Sequence, residues 1–395
     1  MIYTKVLYSI YLFSTCILTM KIEIGRIQQQ KEGFLAFIPA SFPPEGIFDL
    51  SASTLIKASE AARLIGKLDG ITHTLPDVDY FLTMFVKKDA ASSAQIEGTK
   101  ATMIDAIEKS AGVATSETDA DDILFYIKAL NYGVARLHEF PLSLRLIKEI
   151  HVQLMTGARA SHFSDPGEFR KSPNWIGGTT PSNALFVPPP VEEMHQALND
   201  FEKFLHNGKS TLPLIHIAMA HGQFETIHPF LDGNGRTGRL LITMLLCHRN
   251  LLERPVLFLS SYFKKHQKIY YQKLHGYHFG EVEEWINFFL DGVIETANES
   301  IGISKLITKI RETDLEKIQS LAKRESESGV LVLRKLYAQP IVTSKTIMDW
   351  TGFTRAGAQK VIDRFVKIGI LDLKESKTGY DRSYIYRKYT DAFLA

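Results

Sequence analysis

The segment that most restricts the fold is HPFLDGNGRTGR, residues 228–239, which separates two helical patterns. The apolar pattern at 213–227 should end here because Pro229 disfavours helix at the residue before it. A second pattern, at 235–249, begins directly from the same segment. The order predicts a helix, a tight loop with His228 at the helix end, and a second helix.

This loop combines several groups that attract anions. Gly233 and Gly235 allow the backbone to turn tightly and to bring its N–H groups close to an anion. The positive N-terminal end of the following helix favours the same ligand. Arg236 and Arg239 are three residues apart, so they share a helical face and can bind one polyphosphate. The loop is therefore predicted to bind phosphate groups.

Two further side chains suggest what happens to the phosphates. Asp232 would repel a polyphosphate unless a divalent cation lay between them, which predicts Mg²⁺. His228 is a candidate general base for a nucleophile that attacks phosphorus. Each residue alone has an ordinary structural explanation, but their occurrence in one connection favours the functional one. A Walker A loop is excluded because no Gly-Lys-Ser/Thr follows, and a dinucleotide fold is disfavoured because a helix precedes the loop.

Most of the remaining chain is also predicted to be helical, from apolar residues at three- and four-residue spacing. The predicted helices span 51–68, 77–97, 121–138, 143–156, 191–206, 213–227, 235–249, 264–275 and 281–298. The stretch 167–190 is rich in turn-forming residues and predicts a small hairpin. A net charge of +2 gives no overall case for nucleic acid or membrane binding.

The first 19 residues are expected to lie outside the fold. Lys5 and the apolar run to Leu18 are typical of a signal sequence or short anchor, but no cleavage site follows and the run is short for a membrane span. We therefore expect either that translation starts after these residues or that they form a tail outside the fold. No stable membrane insertion is expected. Cys16 and Cys247 are too few for a disulfide framework or a cysteine metal site, and a cytoplasmic location is expected.

The loop fills every defining position of the Fic signature, HPF-x-[DE]-GNGR-x-x-R, and the chain resembles the Fic (Fido) family over nearly all its length after residue 20. Segments that resemble the family are KKDAASSAQIEGTKAT (87–102), PGEFRKSPNWIGG (166–178), FLSSYFKKHQKIYYQKL (258–274) and WINFFLDGV (285–293). The resemblance implies a mainly α fold, with a Fic helical core, a small β-hairpin flap and a C-terminal winged helix-turn-helix domain. The expected domains are an N-terminal region at 20–110, a catalytic core at 111–312 and the winged domain at 313–395.

The resemblance implies adenylyl transfer, in which a Ser, Thr or Tyr hydroxyl of a target protein, or of the protein itself, attacks the α-phosphorus of ATP. His228 would then be the base, and Asp232 would hold Mg²⁺. The nucleotide contacts implied are Gln223, Gly233, Asn234, Gly235, Arg236, Thr237, Gly238, Arg239 and Tyr271. A target could bind by strand addition at the flap, 174–187, although a plain surface hairpin is the alternative. The sequence neither predicts nor excludes a homodimer.

A second motif predicts that the activity is inhibited. SSAQIEG, at 92–98, resembles the family's inhibitory motif [ST]-x-x-x-E-[GN], matched by Ser93, Glu97 and Gly98. Ser93 and Glu97 are four residues apart and share a helical face. The resemblance implies that Glu97 pairs with Arg239 and leaves ATP in a pose unsuited to in-line attack. The same Glu could instead position water to remove AMP from a modified target, and a solvated surface acid is the ordinary alternative.

The C-terminal region predicts a separate binding module. Residues 342–371 have the pattern of helix, Gly-containing turn and helix, and two short strands follow up to 387, an order that resembles a winged helix-turn-helix. Residues 321–395 hold 14 Lys and Arg against 8 Asp and Glu. Side chains that could meet DNA phosphates or base edges are Arg355, Gln359, Lys360, Arg364, Lys377 and Arg382. The alternatives are a protein-binding winged helix, or a chain that is chiefly a DNA-binding regulator with a nucleotide sensor.

Overall fold

The computed structural model describes residues 22–45, 49–74, 78–113, 119–157, 165–207, 211–374 and 382–394. The helices are α1 (Ala52–Thr74), α2 (Val78–Ile96), α3 (Met103–Ser110), α4 (Ala120–Leu137), α5 (Leu144–Met155), α6 (Val191–Asn207), α7 (Pro213–Ile227), α8 (Asn234–His248), α9 (Ser260–Lys265), α10 (Gln267–His278), α11 (Val282–Gln319), α12 (Lys323–Leu336), α13 (Ser344–Thr351), α14 (Arg355–Lys367) and α15 (Arg387–Leu394). The strands are β1 (Gly25–Gln29), β2 (Leu35–Pro39), β3 (Ile341–Thr343), β4 (Asp372–Lys374) and β5 (Ser383–Ile385). Two predictions lie outside these residues, namely the tail at 1–19 and the position of Lys377.

The prediction of a mainly helical fold is confirmed, with differences in how far some helices extend. The helix expected at 281–298 continues as α11 to Gln319, and the helix expected at 264–275 is divided between α9 and α10. α11 can be this long because α1 and α10 pack along its first part, whereas α12 and α15 pack near its end. The expected domain boundary at 312 falls inside α11, and the division into domains stays a prediction.

α7 forms the centre of the fold and determines where the loop lies. Every residue from Leu214 to Ile227 is buried, which is the pattern of a helix surrounded by other elements. It packs against α6, α8, α10 and α11. The helix starts with Pro213 at its first position, where a missing N–H has no cost. Because α7 is enclosed, its C-terminal end places the half-buried His228 at the edge of the core.

Two small hairpins lie beside this core. β1 and β2 pair antiparallel, with Gly25 opposite Pro39, and this hairpin had no counterpart in the sequence analysis. The hairpin predicted within 167–190 is reduced to one antiparallel bridge between Ile176 and Phe186. The N–H of Phe37 in β2 donates to the carbonyl of Val187 at 3.0 Å, which joins the two hairpins.

The C-terminal residues form a helix and sheet unit. Its order is α12, β3, α13, α14, β4 and β5, and the strands form an antiparallel sheet in the order β3-β5-β4. Gly352, in the left-handed conformation at φ 71, ends α13, and Thr354 caps α14. This is the element order predicted for a winged helix-turn-helix, and that assignment stays a prediction. In the part of the chain described, no helix is long and apolar enough to cross a bilayer.

Candidate active site

His228 has an unusual backbone conformation at the end of α7. Its φ of 49 and ψ of 60 are left-handed, a region that costs a side-chain-bearing residue about 1–2 kcal/mol. The conformation is held by hydrogen bonds on both sides, because the His228 N–H donates to the Phe224 carbonyl at 2.9 Å. The His228 carbonyl in turn accepts from Arg170 Nε at 2.9 Å. The conformation of His228 is therefore maintained by its surroundings and not by its own preference.

The imidazole of His228 is in the protonation state that a general base requires. Burial, reinforced by the nearby positive charge of Arg170, lowers the pKa of His228 to about 4. Its Nδ1 is buried, and the backbone of Glu225 lies near enough to oppose this shift in pKa. A neutral imidazole keeps one ring nitrogen without a proton, which is the form that a general base uses.

The loop after His228 is closed by the side chain of Asn234. Its Oδ1 accepts from the Phe230 N–H at 2.8 Å, and its Nδ2 donates to the Phe230 carbonyl at 2.8 Å. Gly233, at φ 79, precedes the first residue of α8. The N–H groups of the first turn of a helix have no partner within that helix. The predicted phosphate cradle can therefore use the backbone at 234–236, whereas the Asn234 amide is occupied by the loop.

His151, on α5, supports the loop through hydrogen bonds and stacking. Its role was not predicted from the sequence. Its Nδ1 accepts from the Gly167 N–H at 2.8 Å, so Nε2 carries the proton that is donated to the Asp232 carbonyl at 2.9 Å. Its ring stacks on Phe230 with centroids 3.7 Å apart. Burial lowers the pKa of His151 to about 4, which keeps this tautomer neutral. A histidine in a helical pattern carries no signal that separates such a support from ordinary core.

Asp232 and Arg236 form the side of the loop that retains binding capacity. Asp232 Oδ1 accepts from the Gly233 N–H at 2.6 Å, and the side chain is 43% exposed. Arg236 is buried, its Nη2 lies 3.9 Å from Asp232 Oδ2, and its Nε has no partner in the described structure. A buried guanidinium with an unused donor fits a phosphate oxygen.

The fit for Mg²⁺ depends on that one carboxylate. Across the described ranges, no group of three or more His, Cys, Asp or Glu side chains could hold a metal ion by itself. Mg²⁺ commonly uses one or two carboxylates together with substrate phosphates and water. Asp232 at the mouth of the loop fits this arrangement, and the Mg²⁺ site stays a prediction.

Arg239 pairs with Glu97 and Ser93, and the inhibitory role that the resemblance implied for this pair stays a prediction. Arg239 Nη2 donates to Glu97 Oε1 at 2.6 Å and to the Ser93 carbonyl at 3.1 Å, and its Nε donates to Ser93 Oγ at 2.8 Å. Glu97 follows the last residue of α2, and Gly98, at φ 90, turns the chain away. Burial acts to raise the pKa of Glu97, but the charge and hydrogen bond of Arg239 outweigh this and lower it. The carboxylate is therefore ionised at neutral pH.

The Glu97 carboxylate also lies over the loop itself. A Cβ atom added to Gly235 would come 2.5 Å from Glu97 Oε1 and 3.0 Å from Arg239 Nη1. Gly235 is thus required for the close approach between loop and carboxylate. Glu97, the predicted inhibitory residue, therefore occupies space at the turn that is predicted to bind phosphate.

Glu225 is a second carboxyl near Arg239, and the sequence analysis did not identify it. It lies one helical turn before His228 and is buried, and its Oε1 has no partner in the described parts of the chain. Burial raises its pKa to about 7, although Arg239 acts in the opposite direction. A side chain at Gly238 would collide with this oxygen. Gly238, which was predicted to contact the nucleotide, therefore faces Glu225 on α7.

The other predicted nucleotide residues are placed in two different surroundings. Gln223 and Thr237 are buried, and their Oε1 and Oγ1 atoms have no partner among the residues described. Tyr271 on α10 is 47% exposed. Burial raises the pKa of its phenol, and the Glu97 charge adds to this shift. Their roles at a nucleotide stay predictions.

The predicted DNA-contacting residues are only partly available. Arg355, Lys360 and Arg382 are exposed, whereas Arg364 pairs with Glu325. Gln359 accepts from Ser344 Oγ at 2.9 Å and donates to Asp363 Oδ1 at 2.8 Å. Two of the six side chains are therefore engaged within the C-terminal unit.

Comparison with known proteins gives a family match for two parts of the chain. Residues 55–135 match the description "Fic/DOC family N-terminal" and residues 141–246 match "Fic/DOC family". Protein adenylyltransferase Fic of Aedes aegypti is 33% identical over 170 residues, which are 42% of this chain and 30% of that protein. The protein of the same name from Drosophila grimshawi is 29% identical over 218 residues, 53% of this chain and 40% of its own length.

A solved structure agrees at the level of the fold. The Fic family protein from Desulfovibrio desulfuricans G20 has a TM-score of 0.54 at 16% identity, over 85% of this chain and 96% of that one. Two parts of the chain, residues 55–135 and 141–246, therefore match the Fic/DOC family. The chain's match spans less than half the length of the two curated relatives.

Proposed function

We propose that this protein is an adenylyltransferase that moves AMP from ATP to a Ser, Thr or Tyr hydroxyl of a target protein and of itself. The observation that carries the proposal is a neutral, half-buried His228 beside the N-terminal end of α8, where Arg236 retains an unused donor. A base and an anion site in one loop suit attack on a phosphate group. The name shared by the curated relatives supports AMP as the transferred group.

The proposed step is an in-line displacement at phosphorus. The target hydroxyl oxygen forms a bond to the α-phosphorus, and the bond from that phosphorus to the bridging oxygen of the leaving pyrophosphate breaks. His228 takes the hydroxyl proton, and Arg236 neutralises charge on the phosphates. A Mg²⁺ ion bound at Asp232 would screen the phosphate charges.

Inhibition by Glu97 is the second part of the proposal. The guanidinium of Arg239 already donates to Glu97 and Ser93, and its side chain is only 2% exposed. A terminal phosphate that needed Arg239 would have to displace an ionised carboxylate 2.6 Å away. Since like charges repel, ATP should bind in a pose that does not align the α-phosphorus with the target hydroxyl.

The direct test uses ATP labelled at different phosphates, incubated with Mg²⁺ and the Glu97→Gly protein. Transfer of AMP predicts that label from the α-phosphate stays on protein while label from the γ-phosphate does not. Label from the γ-phosphate alone would indicate a kinase-like reaction. No label from either would contradict the proposal and favour a nucleotide-sensing regulator.

Removal of AMP is distinguished in the same assay. Purified labelled Glu97→Gly protein is mixed with unlabelled wild-type protein, and release of AMP is followed. Because Glu97 is partly exposed over the loop, it could orient a water molecule as well as block ATP. Release that requires Glu97 would assign that second role, and stable label would leave the inhibitory role alone.

A further inference from the structure

Among the residues that the structure describes, Arg170 is a buried cation without an anionic partner. It is 1% exposed, and its guanidinium donates to four backbone carbonyls. Nε reaches His228 at 2.9 Å, Nη1 reaches Ser172 at 3.3 Å, and Nη2 reaches Pro189 at 2.6 Å and Ile227 at 3.4 Å. Burial of a charge without a counter-ion is costly, and accordingly burial lowers the pKa of Arg170 to about 10. Such a residue is expected to serve the groups that it holds.

The four carbonyls belong to two parts of the site. Ile227 and His228 end α7, where a cation also complements the negative end of the helix. Ser172 and Pro189 stand on either side of the flap at 174–187. The N–H of Arg170 donates to the Pro229 carbonyl at 2.9 Å, so its backbone is tied to the loop as well. One side chain therefore connects the base with both ends of the segment that would present a target.

We propose that Arg170 is a positioning residue that sets the distance between His228 and a target hydroxyl bound along the flap. The inference rests on the proposed transfer reaction, in which the base must lie within hydrogen-bond reach of the hydroxyl. A displacement of the base by about 1 Å can cost roughly 100-fold in rate. The planar guanidinium bonds to both parts at once in a fixed geometry, which the point-like ammonium group of a lysine on its flexible stem does not provide.

The same residue also affects the charge of the base. The charged or titratable groups that face His228 are Arg170 from the segment before the flap, Glu97 from the end of α2, and His278 from α10. Arg170 disfavours a protonated His228 and Glu97 favours it. Arg170 thus supplies geometry through its donors and electrostatics through its charge, and two substitutions can separate these contributions.

The experiment compares Arg170→Lys and Arg170→Gln in the Glu97→Gly protein, with Arg145→Gln as control because Arg145 is a 75% exposed arginine in a surface ion pair. Maximal self-labelling rate, the ATP concentration for half-maximal rate, and thermal stability are measured between about pH 4 and 8. Carbethoxylation of His228, followed by peptide mass spectrometry without ATP, reports its protonation independently of transfer.

We expect both Arg170 substitutions to lower the maximal rate by about 10- to 100-fold while the ATP concentration for half-maximal rate stays unchanged. Only Arg170→Gln should move the acid limb and the carbethoxylation midpoint of His228 to higher pH, because Lys keeps the charge. Arg145→Gln should change neither quantity.

Several results would overturn the inference. Rates within about twofold of the parent in both variants would show that Arg170 does not position the base. A rate loss that rises and falls with thermal stability and ATP affinity would show a purely structural role. Should Arg170→Gln not fold, the rate and ATP dependence of Arg170→Lys decide the matter. An unlabelled Glu97→Gly parent would instead contradict the transfer reaction, while the His228 midpoint would still test the effect of Arg170.

Discussion

The two arginines of the loop have opposite surroundings although they are three residues apart on one helix. Arg239 donates to Ser93 and Glu97 and carries a paired charge. Arg236 is equally buried, but its Nε has no partner in the described residues and its nearest carboxylate oxygen is 3.9 Å away. One side of the loop is therefore closed by a protein carboxylate, and the other side remains suited to an added anion.

The closed side is part of a larger packing arrangement. α2 carries Ser93 at one end, and at its other end it packs on the C-terminal unit. The Phe85 and Phe393 rings lie 5.0 Å apart, the Phe81 and Tyr337 rings 4.8 Å apart, and Lys87 Nζ donates to the Ala338 carbonyl at 3.2 Å. The elements that pack against α8 therefore decide whether each arginine is available to a ligand.

The largest effect is expected from His228, the proposed base, which lies in the loop together with both arginines. His228→Ala in the Glu97→Gly protein should lower self-labelling by about 10²–10⁴-fold, because removal of a general base typically has this cost. ATP binding, followed by fluorescence of a labelled nucleotide, should persist because the Arg236 side is intact. Retained labelling would show that another group acts as the base.

Removal of the Glu97 carboxylate, which closes the Arg239 side of the loop, should give the next largest effect. Glu97→Gly should raise the initial labelling rate of the wild-type protein by about 10- to 100-fold, the equivalent of one charged hydrogen bond of roughly 1.5–3 kcal/mol. Glu139→Gly is a matched control, because Glu139 forms a 2.6 Å pair with Arg136 at the surface. Equal rates for wild type and Glu97→Gly would remove the distinction between the two sides.

The open side is tested through its metal dependence. Asp232→Asn in the Glu97→Gly protein should raise the Mg²⁺ concentration for half-maximal labelling by about tenfold, since one carboxylate ligand is lost. The rate at saturating Mg²⁺ should recover in part. An unchanged Mg²⁺ titration would place the metal elsewhere.

A smaller effect is expected from Ser93. Ser93→Ala removes the acceptor of Arg239 Nε but leaves Glu97, so labelling by the otherwise wild-type protein should rise by about 2- to 10-fold. The measurement is the initial rate beside Glu97→Gly on the same gel. A rise as large as that of Glu97→Gly would mean that the hydroxyl and not the carboxylate maintains inhibition.

The smallest effect is expected from pH. The pKa of Glu97 is lowered from 4.5, so the stabilising pair is fully present above that value and is lost only as pH falls through the lower folded value. The ratio of Glu97→Gly to wild-type labelling should therefore be constant between about pH 5 and 8. A ratio that falls steadily across this range would indicate a different titrating group.

Local patterns accounted for most of the helices and for the residues of the loop. The periodicity at 143–156 and 213–227 depends on neighbours a few residues apart, and it predicted α5 and α7 closely. β1 and β2 were missed because such short strands depend on pairing with each other and with Val187. The Asn234 amide was expected at the phosphates, but its position opposite Phe230 follows from the loop's own closure.

The sequence by itself determined the helix, loop and helix around 228–239 and the chemistry of their side chains, because these depend on residues close together in the chain. Only the tertiary structure decided which of those groups are free. Ser93 is 146 residues from Arg239, Arg170 is 58 from His228, and His151 is 81 from Asp232. Burial makes each of these distant hydrogen bonds important, since a buried polar group must find its partner wherever the fold brings one.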